Sequence, residues 1–337
     1  MTDIDLRSDT VTRPSAPMRA AMLDADVGDD VYGEDPTTNR LEKICAERMG
    51  FEAGLFVASG TQSNLAALLT HCERGDEYIA GQDAHTYRFE GGGGAAFGGI
   101  QPQPLPFQSD GTLDLEDVEA AIKPDDYHFA RTRLLCLENT QGGRPIGPDY
   151  FARARALANR TGLRVHLDGA RLFNAVVALG VDVDDITRHC DSVSVCLSKG
   201  LGAPVGSVLC GESDFIEAAR RWRKVLGGGM RQCGILAAAG IYALEHSVDR
   251  LAEDHHRARE LAAGLTAAGL VADQRTNMVY VTGVEPGRMR NHMATGGVRV
   301  SGPRWVVHLD IDDEDIRHVV ATAGGLAADR TSPRPKP

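Results

Sequence analysis

Two short segments place ionisable residues where buried strands end. Ser192-Val193-Ser194-Val195-Cys196-Leu197 is a largely apolar run, and Ser198-Lys199-Gly200-Leu201-Gly202 follows it directly. A lone lysine in that position is costly unless it does chemistry. Thirty-one residues earlier, His166-Leu167-Asp168-Gly169-Ala170-Arg171 ends a second strand with a carboxylate. A strand-end Asp followed about one βα unit later by a strand-end Lys is what a pyridoxal 5'-phosphate (PLP) site requires. The lysine amine forms the Schiff base. The aspartate keeps the pyridine nitrogen protonated, so that the ring acts as an electron sink.

Other segments add to that pair. Ser59-Gly60-Thr61-Gln62 precedes a helix. Alone, Ser59 or Thr61 reads as an N-cap; beside Asp168 and Lys199 the segment reads better as a phosphate site, since a helix start offers free N–H groups and a favourable dipole. Arg171 shares a face with Asp168 if the chain turns helical there, and is either a salt-bridge partner or a donor to the ring's phenolic oxygen. His85 is either a structural histidine or one lying flat on the cofactor ring. His128 precedes a strand and reads equally well as a surface loop residue. Gly91 to Gly94 lacks both GxGxxG and the P-loop lysine, and reads as a flexible turn or a close helix-packing site.

These residues need a scaffold that presents strand ends. From about residue 40 to 245 helix and strand patterns alternate. Strands are expected over Leu134–Glu138, Leu163–Asp168, Val193–Leu197 and Gly206–Cys210, and helices over Tyr150–Thr161, Ser213–Leu226 and Ile235–Glu245. Short apolar strands separated by helices imply an α/β fold with a mostly parallel sheet covered on both faces. Ligands bind at the carboxyl ends of such strands, where Asp168 and Lys199 fall. A long helix over Val248–Ala268 leads into a smaller α+β region, with strands at Met278–Thr282, Val298–Val300 and Trp305–Leu309 and a last helix from Asp313. The expected division is an N-terminal arm (1–20), a large cofactor-binding domain (21–250), a small C-terminal domain (251–328) and a disordered tail (329–337).

Composition narrows the partners. A formal net charge of −11 over 337 residues argues against nucleic acid, which needs clustered Lys and Arg. No apolar stretch has the length of a membrane span, and the first residues have neither the basic flank nor the apolar core of a signal peptide. The seven cysteines have no framework spacing, which fits a reducing cytoplasm. Cys136, Cys196 and Cys210 read as small buried hydrophobes in strands. No Cys/His grouping has zinc-like spacing, so no metal is expected; His255-His256 reads as an exposed helix face.

Taken together, several motifs resemble the low-specificity L-threonine aldolases, PLP enzymes of the aspartate-aminotransferase fold type (fold type I). They are Asp5-Leu6-Arg7-Ser8-Asp9-Thr10-Val11-Thr12-Arg13-Pro14, Val27-Gly28-Asp29-Asp30-Val31-Tyr32-Gly33, the Asp168 and Lys199 segments, and Gly227-Gly228-Gly229-Met230-Arg231-Gln232. The resemblance runs from about residue 5 to 325. It implies Lys199 as the Schiff-base lysine, Asp168 on the pyridine nitrogen, Arg171 on the phenolic oxygen, Gly60 and Thr61 on the phosphate, and His85 stacked on the ring. Ser8 and Arg304 would bind the substrate carboxylate, and His128 would face the β-hydroxyl. Tyr32, Lys224 and Arg231 would complete the site across a homodimer or homotetramer interface. The family's Glu-Asn-Thr-His appears here as Glu138-Asn139-Thr140-Gln141. The implied reaction is retro-aldol cleavage of L-threonine or L-allo-threonine to glycine and acetaldehyde, with His128, His85 or a water between them as base. The rivals are another PLP reaction, β-elimination or transamination, and a non-catalytic protein of the same fold.

Overall fold

A computed structural model of the chain describes residues 4–328; the tail expected over 329–337 lies outside the described residues. In chain order the strands are β1 (Ile4–Asp5), β2 (Ala53–Val57), β3 (Asp76–Gly81), β4 (Gln101–Leu105), β5 (Arg131–Glu138) and β6 (Arg164–Gly169). They continue as β7 (Ser192–Cys196), β8 (Ser207–Gly211), β9 (Val271–Arg275), β10 (Met278–Thr282), β11 (Val298–Arg299) and β12 (Arg304–Val306). The described residues fall into two compact units, one made of 14–248 and the other of 4–13 with 249–328.

The larger unit is built on a seven-stranded sheet of order β2-β8-β7-β6-β5-β3-β4. Within it β7, β6, β5, β3 and β4 run parallel, whereas β8 is antiparallel to both of its neighbours. Every residue of β7 and β8 is buried, as expected for strands covered on both faces. Cys136, Cys196 and Cys210 lie in β5, β7 and β8 and are buried, as their apolar settings implied. The helix between β5 and β6 starts at Pro148 and stops at Gly162, which adopts the left-handed conformation of a C-cap. Gly91 and Gly92 have positive φ, and a Cβ on Gly93 would stand 3.0 Å from Leu65, so this stretch is both a turn and a close packing site. The parallel strands bring their carboxyl ends to one edge, where Glu138 and Asp168 are register partners across β5 and β6.

In the smaller unit β1 pairs in parallel with β11, Ile4 opposite Val298 and Asp5 opposite Arg299, so residues 4–13 pack here. β12, β10 and β9 form an antiparallel sheet. Its core gathers Leu6, Leu261, Met289 and the fully buried Trp305, whose indole N–H donates to the Gly302 carbonyl at 3.0 Å. The expected exposed pair His255-His256 is half right. Both sit in the helix Leu251–Ala267, but His255 is buried and only His256 reaches outward, toward Glu260 at 3.4 Å. Consecutive residues on a helix point about 100° apart, so one of the two must turn inward when the helix covers a core.

Candidate active site

The site is assembled at the carboxyl edge of the parallel strands. Asp168, at the end of β6, is buried and gripped on both oxygens. The Ala170 N–H donates to Oδ1 at 3.0 Å and the Asn64 amide to Oδ2 at 2.8 Å. The same Asn64 nitrogen donates to Glu90 Oε1 at 2.8 Å. Glu90 in turn meets His85 Nδ1 at 2.7 Å. His85 opens the short helix His85–Arg88 that follows β3, and its backbone N–H donates to Glu138 Oε2 at 3.0 Å. Two side chains expected in the site, His85 and Asp168, are thus brought together around Asn64, Glu90 and Glu138.

Burial and charge shift these groups. The Glu90 carboxylate holds His85 above the ordinary histidine value, against the effect of its partial burial. Burial raises Glu90. It also pushes Glu138 up to about 7, with the Asp168 charge acting in the same direction and the Lys199 charge opposing. Lys199 is therefore within electrostatic reach of the cluster, three residues beyond the end of β7. His85, Glu90 and Asp168 offer donor atoms within 4.8 Å of one another. A cation placed between the two carboxylates would face the Asn64 amide that already donates to both.

A second feature is the helix Gly60–His71. Ser59 caps it by accepting from the Gln62 N–H, which leaves the N–H groups of Gly60 and Thr61 without an intrahelical acceptor. A Cβ on Gly60 would stand 2.7 Å from Cys196 Sγ, so glycine is what lets this first turn settle against the end of β7. Asn64 lies one turn further along the same helix, so one rigid element carries both this first turn, with its N–H groups free of intrahelical acceptors, and the amide that donates to Asp168.

The other expected residues have the following local settings. Arg171 occupies the position before the helix Leu172–Leu179, with φ −134 and ψ 33 and no side-chain capping bond, and β6 runs to Gly169. Asp168 and Arg171 therefore share no helical face, because the chain is still leaving the strand between them. His128 is exposed on a loop, where its Nδ1 meets Asp126 Oδ1 at 2.6 Å and its ring packs on Tyr127. Tyr32 is exposed, Lys224 is exposed near the end of the helix Ser213–Val225, and Arg231 pairs with Asp29 at 3.0 Å. Ser8 and Arg304 belong to the smaller unit. Ser8 caps the turn Asp9–Val11, and Arg304 is exposed on β12 opposite Tyr280. Gln141 closes a tight hairpin with Arg144.

A family model described as "Beta-eliminating lyase" matches residues 5–284. The low-specificity L-threonine aldolase of Escherichia coli (strain K12) is 54% identical, covering 94% of this chain and 97% of that protein. The chain belongs to the low-specificity L-threonine aldolases of the beta-eliminating lyase family. Other threonine aldolases of the group include that of Saccharomyces cerevisiae, 37% identical over 94% of this chain and 84% of its own, and low-specificity L-threonine aldolase 1 of Arabidopsis thaliana, 45% identical over 95% of each. A threonine aldolase from Leishmania major superposes with a TM-score of 0.83 at 21% identity, over 96% of this chain and 99% of that one. Serine palmitoyltransferase from S. paucimobilis, solved with PLP and myriocin, gives 0.76 at 17% identity, over 97% and 88%. These likenesses establish the α/β fold of PLP enzymes of fold type I. The threonine aldolase is thus a PLP-dependent lyase, and its residues fit that cofactor. A helix start with unsatisfied N–H groups suits the phosphate, a buried carboxylate suits the ring nitrogen, and a strand-end lysine suits the aldehyde carbon.

Two more histidines lie behind the cluster. Burial pushes His166, in β6, down to about 4 and His71, at the end of the helix Gly60–His71, down to about 3. Folded-state values below the unfolded 6.5 mean that the stabilisation is complete above pH 6.5 and is lost as pH falls toward 4 and then 3. His71→Gln of this threonine aldolase is expected to flatten the acid limb of stability by up to about 1.4 kcal/mol per pH unit, the value of one proton. Urea midpoints measured from pH 7 to 4 test this; parallel limbs for the two proteins would sink it.

Proposed function

We propose that the chain cleaves L-threonine, L-allo-threonine and related L-β-hydroxy-α-amino acids to glycine and an aldehyde by a retro-aldol reaction. The observation that carries this reading is the buried Asp168 carboxylate, held by two N–H donors beside a strand-end lysine and an open helix N-terminus. PLP, when bound, supplies a sink for the electron pair left on Cα as the Cα–Cβ bond breaks. Lys199 Nζ is the amine that would hold the cofactor. Asp168 would keep the ring nitrogen protonated, Gly60 and Thr61 would hold the phosphate, Arg171 would donate to the phenolic oxygen, and His85 would be the ring's stacking partner.

The β-hydroxyl proton needs a base. In His85 and His128 alike, Nδ1 is engaged by a carboxylate, Glu90 at 2.7 Å and Asp126 at 2.6 Å. That leaves Nε2 as the basic atom, the polarity a general base requires, either directly or through a water. Ser8 and Arg304 are the groups for the substrate carboxylate, since a guanidinium fork fixes angle as well as charge. Arg304→Lys is expected to raise KM for L-threonine on the order of 10- to 100-fold with PLP content unchanged. An unaltered KM would remove Arg304 from the substrate site.

Tyr32, Lys224 and Arg231 are assigned to an interface that completes each site in a homodimer or homotetramer. The exposed Tyr32 and Val225 support a covered face there. A cytoplasmic setting is supported by seven free, buried cysteines; among the described residues no helix is long and apolar enough to cross a membrane. The deciding experiment incubates the pure protein with threonine, allo-threonine and phenylserine of both hands. Glycine and an aldehyde in equal amounts from the L-isomers is the expected result. A 2-oxo acid with ammonia, or turnover only with an added 2-oxo acid, would overturn it.

A further inference from the structure

Behind Asp168 a line of polar side chains crosses the sheet and returns to the helix it started from. We propose that His71, Ser192, His166 and Asn64 form a one-way hydrogen-bond chain whose last donor, the Asn64 amide, positions the Asp168 carboxylate against the cofactor ring. The inference rests on PLP binding at Asp168 and goes beyond it by assigning four positioning residues.

The direction of the chain follows from its end. Asn64 Nδ2 lies 2.8 Å from Glu90 Oε1 and 2.8 Å from Asp168 Oδ2, so both of its N–H groups are spent on carboxylates. The opposite amide orientation would aim a carbonyl oxygen at two carboxylates. Asn64 Oδ1 is then an acceptor, and the atom 3.1 Å from it, His166 Nε2, must donate. His166 is fully buried, and burial keeps it neutral at pH 7 with a single N–H. Its Nδ1 therefore accepts, and the Ser192 hydroxyl 2.8 Å away must be the donor. The serine oxygen in turn accepts from His71 Nε2 at 2.7 Å. His71 is neutral for the same reason, and its ring is fixed by stacking on Phe215 with centroids 4.4 Å apart.

Every donor in the series points toward Asp168, so each bond polarises the next. The two ends of the chain, Asn64 and His71, lie on the helix Gly60–His71 about two turns apart, and the middle members stand on β6 and β7. The chain thus pins that helix to the sheet at two points. It fixes the spacing between the phosphate-binding turn and the carboxylate at the ring nitrogen. Ser192 itself is placed to touch neither cofactor nor substrate.

The test titrates apoenzyme with PLP and follows the visible absorption of the bound cofactor. Ser192→Ala and His71→Leu are each expected to raise the PLP Kd about tenfold. His71→Gln, whose amide N–H replaces Nε2–H, is expected to restore it toward the wild-type value. A wild-type Kd in both broken-chain variants, whatever their melting temperatures, would overturn the proposal. A measurement on the unaltered holoenzyme stands apart from variant folding: histidine ¹⁵N shifts should show His71 and His166 as Nε2–H tautomers, and an Nδ1–H tautomer at either refutes the chain. Wild-type apoenzyme that fails to take up PLP would instead overturn the cofactor reading, and this inference with it.

Discussion

Lys199→Ala is expected to lower kcat for L-threonine on the order of a thousandfold or more and to leave a protein from which PLP is lost on dialysis. In the proposed site the amine is the nucleophile for the covalent link, and neither of two site neighbours replaces it: Arg171 stays charged and His85 is tied to Glu90. The loss has an electrostatic corollary. The Lys199 charge helps hold Glu138 down, so removing it moves Glu138 further above the ordinary carboxyl range. Absorption after exhaustive dialysis, together with turnover, checks the prediction. Retention of PLP with wild-type turnover would mean that another group does the chemistry.

Asp168→Asn separates holding the cofactor from using it. Covalent attachment through Lys199 should survive, while kcat falls on the order of a hundred- to a thousandfold, about 3–4 kcal/mol, typical of removing one preorganised electrostatic partner. The new amide cannot satisfy its surroundings. With its oxygen turned to the Ala170 N–H, its NH2 meets the Asn64 NH2, and two donors face each other in a buried site. Because the Asp168 charge helps to raise Glu138, the variant should also bring Glu138 back toward its ordinary value. Cofactor content near one per chain with collapsed kcat is the expected pattern; full activity would show that the ring nitrogen needs no carboxylate.

The sheet and the strand-end positions of Asp168 and Lys199 were legible because they combine a continuous apolar run with one misplaced charge. β6, β7 and β8 each read as buried segments, and Asp168 and Lys199 stand out as the residues such segments cannot hide. β4 carried no such signal. Its sequence Gln101-Pro102-Gln103-Pro104-Leu105 looks like a loop, and proline survives there because β4 is an edge strand. β9, half exposed and rich in polar residues, was silent for a similar reason. Asn64, Glu90 and Glu138 escaped as site residues because their meaning lies in contacts between distant parts of the chain. Asn64 and Asp168 are 104 residues apart, and only the packed helix and sheet make them neighbours. One hint was available: Asn64 is a polar residue on the face of a helix that otherwise buries Leu65, Leu68 and Leu69. The condition for Asp168 and Arg171 to share a face, a helical turn between them, is not met because the strand runs to Gly169, and spacing alone does not say where a strand stops.

The parallel pairing of β1 with β11 sets an order in time. Ile4 is made about 290 residues before its partner Val298, which at typical synthesis rates is a wait of roughly 15–60 s. Residues 14–248 are all made in that interval, whereas the segment holding Ser8 has no strand partner until Val298 and Arg299 have been made. A message cut short before codon 298 would therefore release a chain with Lys199 and Asp168 in place but with β1 unpaired and Ser8 unanchored.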